Sequence, residues 1–537
     1  MISICLKTVE AVSTIFVYLT HNVSRGLLQL LVDLNHFNGV RCKLLFGMIF
    51  LSLVFSQGLT VDKPKINLIN AEIKSIQNKQ VLEELYIFPV REKVASKQCL
   101  NLFSKFTKKV IVEPVMAIRG SSAGFEMDSI YTPSSVFWIT PGIKVSGNIP
   151  LINPLSNVWI YAWGRFNKHS AYGFNGGHPE SGQDIFQYSP TPNAEYLVHT
   201  KEPDNGIDFD EGQGGITLMS PSFNVTFGKF NSSLGPFYRG NLSVSRETPS
   251  SQQFRINWEI GSKILFTYLV GYLQSGIPDT SLEKFYESGG EVNRTPSVSR
   301  YVVNHRLDFS LTQNFRIGLY EQIIVGARNM PLTYLNPLTP YWSAQHELGD
   351  LDNVQMGFDC DWIVANSRIY GAFYMDEWSP YATFDKGNNH NWFAWQLGIS
   401  QLLLNNLLLK TEFTKMTPQV YAHKFDINLP EHHSEPIGFW SDGNSDDLWI
   451  GLFYLNDNYS AEISYEKTRF GNKEYGVDIL FLSGDFKQRE VYSIKFNKQL
   501  PVNFNTYVSM RYFDTSKLYK ENKFIDVQFA LLYNIPF

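Results

Sequence analysis

The chain has 537 residues, 44% of them hydrophobic, 15% aromatic and 18% charged, with a formal net charge of -5. Its mean hydropathy of -0.17 excludes a polytopic helical membrane protein, and the slight acidity argues against a nucleic-acid partner. Forty Phe, 28 Tyr and 11 Trp suit the aromatic girdles of a membrane β-barrel.

Residues 1–39 resemble no export device and read as a mis-assigned upstream extension. At 40–58, Arg41, Cys42 and Lys43 precede an apolar run from Leu44 to Phe55, and Ser56-Gln57-Gly58 follows. A basic start, a short apolar core and a small-residue exit make a secretory signal peptide. The run is too short to span a bilayer, which takes about 20 residues. Removal of this segment leaves Cys99 and Cys360, too few for a disulfide scaffold. Whether they pair is open.

Residues 59–109 predict a small helical periplasmic segment. Ile73, Ile76, Val81, Leu82 and Leu85 recur at roughly helical spacing, predicting a helix over 70–85 that Pro89 ends. Cys99, Leu102, Phe103 and Phe106 share one face of a second helix expected over 94–108.

From Ile111 the period becomes two, and 110–537 predicts a transmembrane antiparallel β-barrel, all-β, of about eighteen strands. Phe254, Ile256, Trp258 and Ile260 alternate with Arg255, Asn257 and Glu259; Tyr459, Ala461, Ile463 and Tyr465 alternate with Ser460, Glu462, Ser464 and Glu466. Lipid outside and a wet, charged interior give this dyad pattern. The interior charges expected are Arg255, Glu259, Arg306, Asp308, Lys410, Glu412, Glu462, Glu466 and Arg511. Their mixed signs suit either a paired, closed lumen or a wet pore. The stretches 326–352, 378–390 and 417–446 read as long loops, with tight turns at 405–406 and 456–458. Long loops belong outside the cell and tight turns in the periplasm. Counting strands back from the C-terminus puts the long loops on the wrong side, so one strand after residue 415 is miscounted. The chain ends with Phe529, Leu531, Tyr533, Ile535 and Phe537 on one face, the terminal aromatic pattern of bacterial outer-membrane barrels.

Several blocks resemble the capsule-assembly Wzi family. They are Phe227-Gly228-Lys229 with Gly235-Pro236-Phe237-Tyr238-Arg239-Gly240; His305-Arg306-Leu307 with Gly318-Leu319-Tyr320-Glu321; Leu335-Asn336-Pro337 with Asp352-Asn353; Tyr374-Met375-Asp376-Glu377-Trp378; and Gly443-Asn444-Ser445-Asp446-Asp447. The resemblance implies an outer-membrane barrel of about eighteen strands that binds or helps assemble capsular or other surface polysaccharide. The stretch 168–213 departs from it as an apparent insertion. The alternative reading is a porin or substrate channel. Outer-membrane lipid and the barrel-assembly machinery complete the expected partners.

Catalytic patterns are missing. On a strand, Asp376 and Glu377 point to opposite faces and do not flank one glycosidic bond. Asp442, Asn444 and Asp446 begin like a calcium loop, but Asp447 and Phe453 stand where Gly and Glu are needed. His432-His433 and His346-Glu347 lack metal spacing, so the expectation is a non-enzymatic protein without metal or cofactor. Sugar recognition takes aromatic faces and planar polar groups. The loop residues offering that mixture are Trp342, Trp378, Tyr381, Asp385, Trp392, Trp440 and Asp442.

Overall fold

The computed structural model describes residues 63–82, 85, 87–88, 110–121, 136–150, 158–172, 206–286, 296–378, 391–456, 458–473, 475, 479–484, 486–500, 504–514, 523–533 and 535–536. The expected upstream extension, signal peptide and second helix, together with Cys99 and the terminal Phe537, lie outside these residues.

One helix, α1 (Lys63–Asn78), precedes a closed antiparallel barrel. Its strands are β1 (Val110–Ser121), β2 (Val136–Pro150), β3 (Trp159–Tyr172), β4 (Gly206–Met219), β5 (Phe223–Phe230), β6 (Ser251–Ile260), β7 (Ile264–Pro278), β8 (Ser297–Thr312) and β9 (Phe315–Gly326). Then come β10 (Asn353–Val364), β11 (Ser367–Glu377), β12 (Trp392–Leu404), β13 (Leu407–Met416), β14 (Ser445–Leu455), β15 (Tyr459–Phe470), β16 (Lys487–Leu500), β17 (Phe504–Asp514) and β18 (Lys523–Tyr533). Each pairs with its neighbour in sequence. The seam joins β1 to β18, from Val115↔Leu532 to Ser121↔Asp526, and Ile535–Pro536 extends it. The eighteen strands match the expected number. Flanks of the apparent insertion are strand as well, since Tyr172 pairs with Gly206.

The outward row is apolar and exposed on strand after strand, for example Ile143, Phe227, Leu307, Phe358, Leu397 and Ile494. This is the lipid-facing belt of a membrane barrel. Cys360 is a free thiol on that face. The inward row is polar and buried, including Arg255, Arg306, Asp308, Lys410, Glu412, Glu462, Glu466 and Arg511. Glu259, also expected there, is half-buried near a turn.

The strand count corrects the loop topology. Connections 220–222, 261–263, 313–314, 365–366, 405–406, 456–458 and 501–503 share one end, with the start of β1 and the end of β18. Connections 231–250, 279–296, 327–352, 378–391, 417–444 and 471–486 share the other. Short turns mark the periplasmic end and long loops the extracellular one, so the conflict disappears. Residues 479–484 lie within the 471–486 connection, with Leu480 78% exposed.

Helix α1 is also displaced from its expected 70–85. It stops at Asn78 because Lys79 adopts a left-handed φ of 52°. Lys79 N–H then donates to Ile76 O (3.2 Å) and Gln80 N–H to Ser75 O (3.0 Å), a Schellman end that satisfies the last carbonyls. Val81, Leu82 and Leu85 keep the helical period by coincidence only. Past the helix, Val81 N–H bonds the 313–314 turn, and Leu85 packs against Leu234, Val244 and Leu265.

Three segments occupy the lumen. Near the periplasmic end α1 buries Ile69, Ile73 and Ile76 against Tyr238, Leu402, Leu408, Trp449 and Phe453. Above it the 231–250 connection turns inward. Tyr238 and Arg239 donate their N–H groups to the Glu412 carboxylate at 2.9 and 2.8 Å. Gly235 and Gly240 hold φ of 135° and 131°, and a Cβ on Gly235 would meet Asn241 Oδ1 at 2.4 Å. Only glycine fits such a bend. At the extracellular end, the 417–444 connection is drawn in by Arg300, which donates to the carbonyls of Ile427, Glu431 and Asp426 at 2.6, 2.9 and 2.7 Å. There Leu242, Tyr320, Tyr374, Val420, Tyr421 and Phe439 form an apolar lid.

Candidate functional site at the extracellular end

Lumen charges are paired by geometry. Arg306 binds Asp308 and Asp359 through hydrogen bonds of 2.6–3.0 Å, and Arg316 lies 3.4 Å from Asp308. Arg368 contacts Asp361 (2.6 Å) and Glu72 of α1 (2.7 Å). Glu72 also accepts from Ser400 (2.7 Å) and Lys410 (2.8 and 2.9 Å). Burial opposes ionisation of Glu72, but Lys410 and Arg368 outweigh it and bring its pKa down to about 2. Arg239 bridges Asp447 (3.4 Å) and Glu466 (2.5 Å), and Arg489 also reaches Glu466 (2.5 Å). Such knots lose most when one partner is removed, because the other charge stays buried.

At the extracellular rim of the barrel lies a cavity of about 640 Å³. Its walls come from the extracellular connections: Trp342, Gln345, His346, Asp350 and Asp352 from 327–352, Trp378 after β11, His423 and Lys424 from 417–444, and Tyr475 from 471–486. Its floor comes from Asn353, Val354 and Met356 of β10 and Met375, Asp376 and Glu377 of β11. The volume is in the range of small-molecule sites, and the lining mixes flat aromatic faces with carboxylates.

The seven residues singled out from sequence divide. Trp342 and Trp378 both line the cavity and are 55% and 48% exposed. Trp392 is buried, standing edge-on behind the cavity wall against Tyr475 (5.3 Å). Trp440 is not at the cavity; Arg239 and Arg489 lie over its ring at 5.5 and 4.2 Å. Asp442 forms an ion pair with Lys473 at 2.9 Å, which also reaches Glu431 at 3.5 Å. Tyr381 and Asp385 fall outside the described residues.

Sequence reasoning missed Asp350, Asp352, His423, Lys424 and Tyr475. They lie in three separate connections, and only the fold brings them together. Asp350 takes Lys424 at 3.4 Å and Gln345 Nε2 at 2.6 Å. Asp352 is held by Arg328 and by the Tyr334 hydroxyl (2.7 Å); burial nevertheless pushes its pKa up. Burial lowers the His423 pKa to about 4. Asp376 and Glu377 do point apart: Asp376 is buried inward and Glu377 is half-buried outward. Asp376 Oδ2 accepts the N–H of Tyr421. Among the described residues no group of His, Cys, Asp and Glu is disposed to hold a metal ion.

No protein-family model matches the chain, and no curated protein sequence does. Among solved structures the fold is similar to Wzi of Escherichia coli, described as an outer-membrane protein involved in group 1 capsule assembly and a carbohydrate-binding β-barrel. The TM-score is 0.54 at 11% identity, over 88% of this chain and 98% of that one. OpdQ of Pseudomonas aeruginosa gives a TM-score of 0.43 at 10% identity, over 80% of this chain and 98% of its own. The outer-membrane protein OprD of the same organism gives 0.42 at 9%, over 80% and 95%. The fold is that of a bacterial outer-membrane β-barrel.

Proposed function

We propose that this outer-membrane barrel is a non-catalytic retention protein that holds a capsular or other surface polysaccharide at its extracellular end. The observation that carries the proposal is the aromatic and carboxylate cavity beside Trp342 and Trp378, at the rim of a barrel whose interior is crossed by α1 and the 231–250 connection. A binding site at the rim of a filled lumen suits retention better than passage. The sequence blocks that resemble the Wzi family and the fold shared with the Escherichia coli protein point the same way. On the cavity lining, Asp350, Asp352, Asp376 and Glu377 outnumber Lys424, which favours neutral or amino-bearing sugars over polyanionic chains.

Residues 40–58 act in this reading as a cleaved export signal, with 1–39 an upstream extension absent from the mature protein. N-terminal sequencing of material from the outer membrane should begin near Leu59. Recovery of residues before 40 would reject that part.

The deciding experiment joins two measurements on purified, refolded protein: binding of the cell's own surface polysaccharide, and conductance in a planar bilayer. Saturable binding without stable current is expected. A steady open channel with no glycan binding would make the protein a porin and overturn the proposal.

A further inference from the structure

Strand register sets Tyr268, His305 and Glu321 side by side in one row across β7, β8 and β9. Alternation puts this row on the outward face, where Leu307 and Leu319, two residues nearer the periplasm, are exposed to lipid. Polar groups on a membrane wall need partners, because hydrocarbon offers none. The 327–352 connection supplies them by folding down the outside of the barrel. Tyr268 donates its hydroxyl to the carbonyls of Tyr334 (3.3 Å) and Leu335 (3.1 Å). Glu321 accepts the N–H groups of Tyr341 and Trp342 at 2.8 and 2.7 Å, at the start of the helix Tyr341–Glu347. His305 lies 3.1 Å from Glu321 Oε2 and from Pro337 O, and stacks on Tyr341 at 4.2 Å. Tyr334, Tyr341 and Ala344 are buried against outward Phe266, Val303, Ile323 and Val325.

The other side of this strap is apolar too. Leu332 is 83% exposed, Leu338 79% and Leu335 41%. Residues 329–345 contain no Asp, Glu, Lys or Arg, whereas the 417–444 connection carries Lys424, Asp426, Glu431, Glu435 and Asp442. Height decides what faces the leucines. On β10 the outward residues from Phe358 to Val364 are bare or partly so. At ~3.3 Å per residue and a tilt near 40°, they cover about 15 Å of a belt that is about 25 Å tall. The remaining ~10 Å reaches roughly four residues higher, to Val354. Glu321 pairs with Met356, so the row that holds the strap lies inside the belt.

We propose that the strap over 330–340 is immersed in the outer leaflet, and that Leu332, Leu335 and Leu338 dock on lipid acyl chains. The strap continues the lipid-facing belt outward, and so this extracellular connection is a membrane-contacting element.

The test places a reporter on the strap. Leu338→Trp, with Leu332→Trp as a second site, is refolded into vesicles of phosphatidylcholine with or without brominated acyl chains. Both side chains are exposed, and neither lines the sugar-binding cavity, so the barrel and its proposed ligand site are retained. The emission added over wild type should be strongly quenched by acyl bromine and insensitive to aqueous iodide. Iodide quenching without bromine quenching would place the strap in water and overturn the proposal. Insensitivity to both would mean that protein covers the strap, for instance a second copy, and would overturn it equally.

Discussion

Glu72→Gln removes one charge and almost no volume from the knot that fastens α1 to the barrel. The wild-type carboxylate accepts four close contacts from Arg368, Ser400 and Lys410, all buried. In the variant Arg368 keeps Asp361, but Lys410 keeps only the longer contacts with Glu412 at 3.5 Å and the Ser400 hydroxyl at 3.3 Å. Leaving a buried charge without its partner costs about 3–5 kcal/mol. The drop in pKa from 4.5 to about 2 corresponds to about 3 kcal/mol by linkage. Release of the helix should therefore become more frequent by about two to four powers of ten. Planar-bilayer recording would show it as opening bursts that wild type lacks, and protease would reach α1 while the barrel stays folded. The sign of the pH effect is fixed. The folded pKa lies below the unfolded one, so the stabilisation is complete above about 4.5 and is lost as pH falls toward about 2. Wild type should start to open in that window, and Glu72→Gln should lose this response. A variant with unchanged helix protection and no bursts would refute the assignment of the knot as the fastening, leaving Ile69, Ile73 and Ile76 to hold the helix.

Three further outcomes are expected. Trp342→Ala and Trp378→Ala should each weaken glycan binding by about tenfold, the loss of one ring face worth roughly 1–2 kcal/mol, with no change in barrel stability; titration against the surface polysaccharide checks this. Glu321→Ala should loosen the strap by about 1–3 kcal/mol, since two helix-start N–H groups lose their acceptor, and proteolysis near 330–345 should speed up accordingly. His423 is held neutral with a pKa of about 4 against an ordinary 6.5, so the 417–444 connection should lose stability as pH falls from 6.5 toward 4. Hydrogen exchange in that connection should rise over the same range, and His423→Gln should abolish the rise.

The barrel was legible because a lumen and a lipid belt impose opposite polarity on alternate residues, and that survives in sequence from Phe254 to Tyr512. Loop topology was less so. After residue 415 the apolar pattern alone does not say which runs find a neighbour, and only pairing does. The helix end at Lys79 was invisible because a left-handed lysine has no compositional mark, unlike glycine. Of the candidate site, Trp342 and Trp378 were found by residue type. Trp440 was misplaced because an indole that pairs with arginines inside the protein looks the same in sequence as one that awaits a sugar. Asp350, Lys424 and Tyr475 carry no local signature at all.

Helix α1 lies N-terminal to β1, one half of the seam, yet its ionic partners Arg368, Ser400 and Lys410 sit on β11, β12 and β13, seven to five strands round the ring from β18. The helix is thus fastened to a wall remote from the strand that its chain leads to. During assembly that wall lacks one carboxylate of its ion-pair network until the N-terminal segment arrives, and the same segment is tethered to the strand that must zip to β18. Ring closure and helix insertion are therefore kinetically linked: a nascent barrel that closes first shuts out laterally the part that completes its network. A folding intermediate should accordingly be an open, curved sheet with α1 already lying against it.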